Sequence, residues 1–192
     1  MGHRVVANFS EARVDTFDGR FQPVALSRHA FRDDDLPRGF APFNVQAIGD
    51  RVYVTFAKQD AQKEDETDGP GLGYVDSFTT DGRLVTRFSS HRVLNGPWGL
   101  VQAPHTFGRF ADDVLVGNFG DGRIHAFDPK SGDLVGTLRD ASHQPIVIEN
   151  LWGLRVGNTN FGGPDSVVFS AGPGDEEHGL IGTIAPTPPS PA

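Results

Sequence analysis

The densest group of chemically active side chains is the run Asp175, Glu176, Glu177 and His178. Carboxylates beside an imidazole can bind a metal ion and supply a general base, so this run provides the candidate catalytic residues. The alternative is a solvated turn, because most charged residues of a protein face water. The sequence leaves both interpretations open.

Asparagines recur where predicted strands end. The pair Asn8-Phe9 returns as Asn118-Phe119, 110 residues later. Asn readily caps a turn, but amide and carboxylate oxygens are also the ligands that Ca²⁺ and Mg²⁺ prefer. The candidate ligands of such a cation are Asn8, Asn118, Asp175 and Glu176. The candidate residues for binding a polar ligand are Asn8, Asn95, Asn118, Asp121, Asn150, Lys58 and Asp60.

The composition excludes several kinds of protein and of site. With no Cys among its 192 residues, the chain has no disulfide, no thiolate zinc site and no Cys nucleophile. Its 25 acidic residues outnumber its 17 Lys and Arg, and the net charge of −8 argues against a nucleic-acid partner. Its apolar runs are too short for a membrane-spanning helix, and its N-terminus lacks the apolar region of a signal peptide.

Short apolar segments that recur along the chain must position these residues. Phe43, Trp98 and Trp152 open three similar segments at intervals of 55 and 54 residues. Further segments rich in Val, Ile, Phe and Thr follow each one, separated by turn signals such as Asp81-Gly82. Four short antiparallel strands in a unit of this length are typical of a β-propeller blade. A two-sheet sandwich, the alternative, would not repeat an aromatic segment at every fourth strand.

The repeats therefore predict an all-β protein, a β-propeller of four-stranded antiparallel blades with about three and a half blades present. The predicted propeller covers residues 1–184, with blades at approximately 4–40, 41–90, 95–140 and 148–184, and residues 185–192 form a Pro-rich tail. The segment 21–24 is the predicted fourth strand of the first blade. Because propellers close with about four to eight blades, we expect missing N-terminal blades or another chain to complete the ring.

Several segments carry more specific motifs, and these lie at residues 53–60, 96–100, 116–124, 138–140, 151–154 and 171–179. They resemble a family of uncharacterised bacterial proteins that is similar to NHL-type six-bladed propellers. The resemblance covers residues 4–184. It implies that the chain is the C-terminal part of a six-bladed propeller and that the protein is exported, since members are commonly exported and some carry PEP-CTERM tails. It implies no catalytic residues, because the family has no established activity.

The function that we expect is that of a non-enzymatic binding or scaffold module. In a propeller, loops from several blades converge at the mouth of the central channel, where they would hold a small polar ligand, a glycan or a protein. Two other functions stay open. A metal-dependent hydrolase or lyase of the propeller lactonase type would use channel asparagines and residues 175–178 as ligands and base, which is an analogy of fold alone. The remaining alternative is that the chain is a truncated fragment without a function.

Overall fold

The computed structural model describes residues 3–186. Within this range the chain forms thirteen β-strands and one short 3₁₀ helix, Gly108–Phe110, and contains no α-helix. The prediction of an all-β protein is therefore confirmed. The strands form four antiparallel sheets of two, four, four and three strands, and within each sheet the strands are neighbours in chain order.

The first sheet contains β1 (Arg4–Asn8) and β2 (Arg13–Phe17). The second contains β3 (Phe40–Ile48), β4 (Arg51–Lys58), β5 (Gly73–Phe78) and β6 (Leu84–Arg87). The third contains β7 (Pro97–Gln102), β8 (Val114–Asn118), β9 (Ile124–Phe127) and β10 (Leu134–Thr137). The fourth contains β11 (Leu151–Val156), β12 (Val167–Ala171) and β13 (Leu180–Ile184).

The middle strands of the larger sheets are buried on both faces. Every residue of β8 and of β9 is buried, whereas β6 and β10 contain only half-buried and exposed positions. Strands buried on both faces have no regular polar alternation, because neither side faces water. The β-branched and aromatic residues of these strands fit such a pleated, enclosed environment.

The segment 21–24 does not form the predicted fourth strand of the first sheet. It makes only an isolated bridge between Phe17 and Pro23, and Val24 donates its backbone N–H to Thr16 at 2.9 Å. Proline has no N–H to donate to a strand ladder, and Phe21 has a positive φ of 60° that interrupts extended backbone. The first sheet is therefore limited to two strands among the described residues.

The chain divides into two compact units. The first extends to Trp98 and includes Lys130–Asp133, and the second contains Gly99–Pro129 and the residues from Leu134 onward. Each unit has its own apolar core. The core of the first unit is built from Phe31, Val52, Val54, Phe56 and Phe78. The core of the second unit includes Leu115, Ile124, Ala126, Leu151, Leu154 and Val167.

Candidate functional site

A groove with a volume of about 950 Å³ opens in the first unit. Its lining has two parts, strand β2 and the connection from β2 to β3 with the start of β3, which we call the β2 wall and the second wall. This volume lies in the range of small-molecule sites in proteins, about 300–1,000 Å³. We name it the β2–β3 groove.

The connection that forms the second wall is fastened to the second sheet by Phe31. The Phe31 side chain is buried, and its ring centroid lies 5.6 Å from that of Phe78 in β5. The backbone N–H of Phe31 also donates to the carbonyl oxygen of Gly82 at 2.8 Å, in the turn between β5 and β6. An aromatic anchor and a backbone hydrogen bond thus hold an irregular segment in a fixed position beside the sheet.

The base of the groove is apolar. Val14, Leu26, Leu36 and Phe40 line it, and all four are partly buried side chains packed against the core of the first unit. Groove-lining side chains that rest on a packed core keep their positions, because such interiors leave little free volume. The groove can therefore receive an apolar group without reorganising.

The acidic groups on the β2 wall are paired. Asp15 accepts hydrogen bonds from Arg13 Nε at 2.6 Å and from Asn8 Nδ2 at 2.8 Å. The Arg13 hydrogen bond, and then that of Asn8, hold the pKa of Asp15 below its usual range. Arg13 also lies 3.3 Å from Glu11 through Nη1. One arginine thus pairs with two carboxylates, so these three residues keep a net negative charge.

On the opposite wall, Asp33 forms a two-pronged ion pair with Arg87 of β6. Nε and Nη2 of Arg87 both donate to the Asp33 carboxylate, and Arg87 also lies 3.3 Å from Asp35. The Asp33 side chain is only 2% exposed, whereas that of Asp35 is 81% exposed. A planar guanidinium matches a carboxylate in this geometry and neutralises a charge that would otherwise be buried alone.

Asp76 of β5 is a second buried carboxyl group, close to the ion pair of Asp33 and Arg87. It is the register partner of Arg87 across β5 and β6, it is fully buried, and no donor among the described residues hydrogen-bonds to its side-chain oxygens. Burial and, after it, the negative charge of Asp33 raise the pKa of Asp76 to about 8 against the opposing charge of Arg87. Asp76 is therefore predominantly protonated at neutral pH.

Three arginines line the groove on the side of the connection: Arg28, Arg32 and Arg38. Arg28 donates from Nε to His29 Nε2 at 2.9 Å. Within residues 3–186, the guanidinium groups of Arg32 and Arg38 form no hydrogen bond or ion pair. The groove lining thus contains two guanidinium groups that hydrogen-bond to no described residue.

The predicted polar residues of the first unit hold loop backbone. Asn8 Oδ1 accepts from the N–H of Glu11 at 3.2 Å, and Asn95 Oδ1 accepts from Gly69 at 2.6 Å. Lys58 Nζ donates to the carbonyl oxygen of Arg38 at 2.9 Å, and Asp60 Oδ1 accepts from Glu64 at 3.0 Å. The structure brings their loops together in one region: Gln59 Nε2 donates to Phe9 O at 2.6 Å, and Asn95 contacts the same β4–β5 loop.

The predicted polar residues of the second unit have the same kind of contact. Asn118 is fully buried at the end of β8, and its Nδ2 donates to Asp121 Oδ1 at 2.9 Å. Asn150 Nδ2 donates to the carbonyl oxygen of Gly172 at 3.0 Å. The turn that contains Asp121 meets the segment before Asn150, because Ile148 donates its N–H to Gly122 O at 2.9 Å.

The run 175–178 forms an exposed turn in the loop between β12 and β13. Asp175 and Glu176 both have positive φ, 52° and 67°, and Glu176 Oε1 accepts from Trp152 Nε1 at 2.5 Å. His178 donates its N–H to Pro173 O at 3.2 Å, which closes the turn. Across residues 3–186, no group of three or more His, Asp or Glu side chains is placed to hold a metal ion.

The groove arginines, Arg87 and Asp76 are the site residues that sequence reasoning missed. Two signals could have found them. Residues 28–38 are unusually dense in charge for a connection between strands. Asp76 is an ionisable residue inside an otherwise strand-forming apolar run, and such a residue is rarely buried without a functional or structural reason.

Comparison with known proteins identifies viral relatives. The chain is 36% identical over 184 residues to the uncharacterized protein L690 of Acanthamoeba polyphaga mimivirus, covering 93% of this chain and 48% of that protein. It is 35% identical over 184 residues to the uncharacterized protein R648 of the same virus, covering 93% of this chain and 44% of that protein. The chain thus spans about half the length of these curated relatives. No family model matches it.

One solved structure has a similar fold. It is a protein of unknown function from Bacteroides caccae, with a TM-score of 0.54 and 8% sequence identity, and the match covers 94% of this chain and 52% of that chain. At this level of identity the similarity concerns the fold alone.

These comparisons correct the resemblance drawn from the sequence motifs. The assignment to a bacterial NHL-like family was wrong, because the relatives above are viral and no family model matches. Short Gly- and Trp-containing turn motifs arise wherever small strands repeat, so they do not identify a family. The expectation of export depended on that resemblance and has no other support. Among residues 3–186, no helix has the length and hydropathy needed to cross a bilayer.

Proposed function

We propose that the chain is part of a β-propeller, with blades at residues 4–40, 41–90, 95–140 and 148–184, and that it acts as a non-enzymatic binding module for a small polar ligand. The four sheets are sequential antiparallel meanders, which is the construction of propeller blades. The β2–β3 groove is the observation that carries the binding function.

Contacts between first strands support the propeller. In the first unit, Asn44 Nδ2 of β3 donates to the carbonyl oxygen of Trp98 in β7 at 2.7 Å, across 54 residues. In the second unit, a Cβ added to Gly99 of β7 would lie 3.0 Å from the carbonyl oxygen of Trp152 in β11. In each unit, the first strands of two successive sheets therefore touch at nearly the same sequence spacing. Blades around a common axis have this relationship.

The groove supports binding because it combines an apolar base with charged walls. Sites for small molecules in proteins are mostly apolar clefts with a few polar groups that orient the ligand. Half-buried Leu26 and Phe40 supply the apolar surface, and the guanidinium groups of Arg32 and Arg38 supply the polar groups. The second wall is anchored by Phe31 and by the Asp33 pair with Arg87, so the groove is organised before a ligand arrives.

A groove-filling variant tests this function. Ala25 lines the groove and is exposed, so Ala25→Trp fills it without entering the core. Ala61→Trp, in the exposed β4–β5 loop outside the groove, is the matched control. Ligand-observed NMR of the full chain against a library of small polar molecules measures binding.

We expect compounds that bind the unaltered chain and Ala61→Trp but not Ala25→Trp. The binding function is wrong if no compound binds, or if every compound that binds does so equally well to both variants. Circular dichroism of both variants checks that the tryptophans leave the fold intact.

A further inference from the structure

We infer that the ligand of the β2–β3 groove is an organic anion with an apolar body, in which a carboxylate or phosphate contacts Arg32 and Arg38. This inference rests on the proposed binding function and names the class of ligand. It follows from an imbalance of paired and unpaired charges around the groove.

Most of the carboxylates that line the groove already have a charged partner. Glu11 and Asp15 are paired with Arg13, and Asp33 is held by Arg87 from outside the groove. Asp34 has a side chain that is 78% exposed, and it lies 3.9 Å from His29 Nδ1. Three of the four groove carboxylates therefore have an arginine partner, and Asp34, the fourth, has none among the described residues.

The arginines of the second wall, in contrast, have no carboxylate partner. Within the described chain, Arg32 and Arg38 make no ion pair through their guanidinium groups, and Arg28 donates to His29 Nε2. Each guanidinium presents a planar fork of donors that matches a carboxylate or a phosphate with two parallel hydrogen bonds. Four arginines and four acidic residues line the groove, but among the described residues Arg28, Arg32 and Arg38 form no ion pair with a carboxylate, and these unpaired guanidinium groups favour an anion.

The apolar base of the groove favours an anion that has an apolar body. Val14, Leu26, Leu36 and Phe40 are half-buried side chains that line the same groove. A bare inorganic anion would leave these side chains exposed to water, whereas an anion with a hydrocarbon or aromatic body would cover them. The arrangement therefore favours an amphipathic anion over a simple ion.

Four soluble probes separate the contributions of charge and of apolar surface. They are 4-phenylbutyrate, its neutral isostere 4-phenylbutyramide, phenyl phosphate, and acetate as an anion without an apolar body. Isothermal titration calorimetry and ligand-observed NMR on the full chain at low salt give the affinities. We expect 4-phenylbutyrate or phenyl phosphate to bind about tenfold or more tightly than the amide and than acetate, since a charge-assisted pair is lost in one and apolar contact in the other.

The decisive variant is Arg32→Ala/Arg38→Ala. It should lower the affinity for the anionic probe about tenfold or more and leave the affinity for the amide unchanged. The matched control is Arg20→Ala/Arg83→Ala, which removes two exposed arginines of the first unit that do not line the groove. This control has the same net charge as the decisive variant, so a general electrostatic effect would appear in both.

Each outcome bears on one of the two proposals. If the amide binds as tightly as the carboxylate and both are excluded by Ala25→Trp, the groove binds ligands but the anionic class is wrong. If the arginine variant and its control lower the affinity for the anionic probe equally, the proposed contact with Arg32 and Arg38 is wrong. If no probe binds while other compounds remain sensitive to Ala25→Trp, only the ligand class is overturned. If nothing binds the groove at all, both proposals fail.

Discussion

The carboxyl group of Asp76 is fully buried beside that of Asp33, which is itself neutralised by the forked hydrogen bonds of Arg87. Arg87 is the register partner of Asp76, yet it donates to Asp33 on the connection between β2 and β3. The Arg87 guanidinium thus hydrogen-bonds to one of the two buried acids and not to the other. The second acid can remain uncharged only by holding its proton, and burial together with the charge of Asp33 raises its pKa to about 8.

The first prediction concerns the pH dependence of stability. The pKa of Asp76 is about 8 in the folded chain and near 3.8 in the unfolded chain, so the folded chain binds one more proton between these values. The contribution of Asp76 to stability is therefore complete below pH 4 and is lost as the pH rises towards 8. Asp76→Asn cannot ionise and should flatten this decline. It should be more stable than the unaltered chain at pH 8 by on the order of 3 kcal/mol.

Urea denaturation followed by circular dichroism from pH 4.5 to 8.5 measures this effect. Asp50→Asn is the control, because the side chain of Asp50 is 83% exposed. A slope that is the same in Asp76→Asn and in the unaltered chain would contradict the assignment.

The second prediction concerns the pair that fixes the groove wall. Arg87→Ala leaves the Asp33 carboxylate buried without its cation, and we expect a loss of about 3 kcal/mol of unfolding free energy. Asp33→Asn/Arg87→Ala should lose much less than the sum of the two single changes, because no buried charge is then left unpaired. Strict additivity in this double-mutant cycle would show that the two residues are not coupled.

The third prediction compares two glycines with similar backbone conformations. Gly122 and Gly49 have φ of 66° and 58°, but a Cβ on Gly122 would lie 2.2 Å from the carbonyl oxygen of Ile148, whereas one on Gly49 would meet nothing within 4 Å. Gly49→Ala should cost about 1 kcal/mol from the positive φ alone. Gly122→Ala should cost about 3 kcal/mol, since the steric contact adds to the same strain. Equal losses in urea denaturation would mean that the turn between β8 and β9 moves away from Ile148 freely.

The fourth prediction separates turn closure from metal binding at the asparagines. Asn118 is buried and donates to Asp121, so Asn118→Ala should cost about 2 kcal/mol. Asn8 is half-buried in the corresponding turn, and Asn8→Ala should cost less. If the two asparagines only close turns, adding Ca²⁺ leaves the Tm of the unaltered chain unchanged. A rise in Tm with Ca²⁺ that disappears in Asn118→Ala would instead assign a cation site there.

The strands could be predicted from the sequence because their causes are local. β4 is rich in β-branched and aromatic residues, β8 begins with the apolar run Val-Leu-Val, and Asp-Gly or Ser-Gly pairs mark several of the turns. The segment 21–24 failed as a prediction because Pro23 and the positive φ of Phe21 outweigh its apolar character.

The groove could not be predicted in the same way. Arg13 and Arg38 lie on opposite walls, and Asp33 pairs with Arg87 across 54 residues. No local pattern states which connection will lie against which strand, because that depends on how side chains such as Phe31 fill a shared core. The run 175–178, conspicuous in the sequence, forms an exposed turn in the structure, with Glu176 bonded to Trp152.

Asp76 and His125 show what the sequence can predict about a residue and what depends on the tertiary structure. Each stands two residues before a buried phenylalanine in the third strand of its sheet, and both are buried. The sequence by itself determined that these two residues stand at equivalent positions of two repeated strands. Only the tertiary structure decided that Asp76 faces Asp33 and Arg87 while His125 Nδ1 lies 3.0 Å from Thr137 Oγ1. The physical reason is that strand formation depends on neighbours along the chain, whereas the charge state of a buried group depends on whatever packs against it in space.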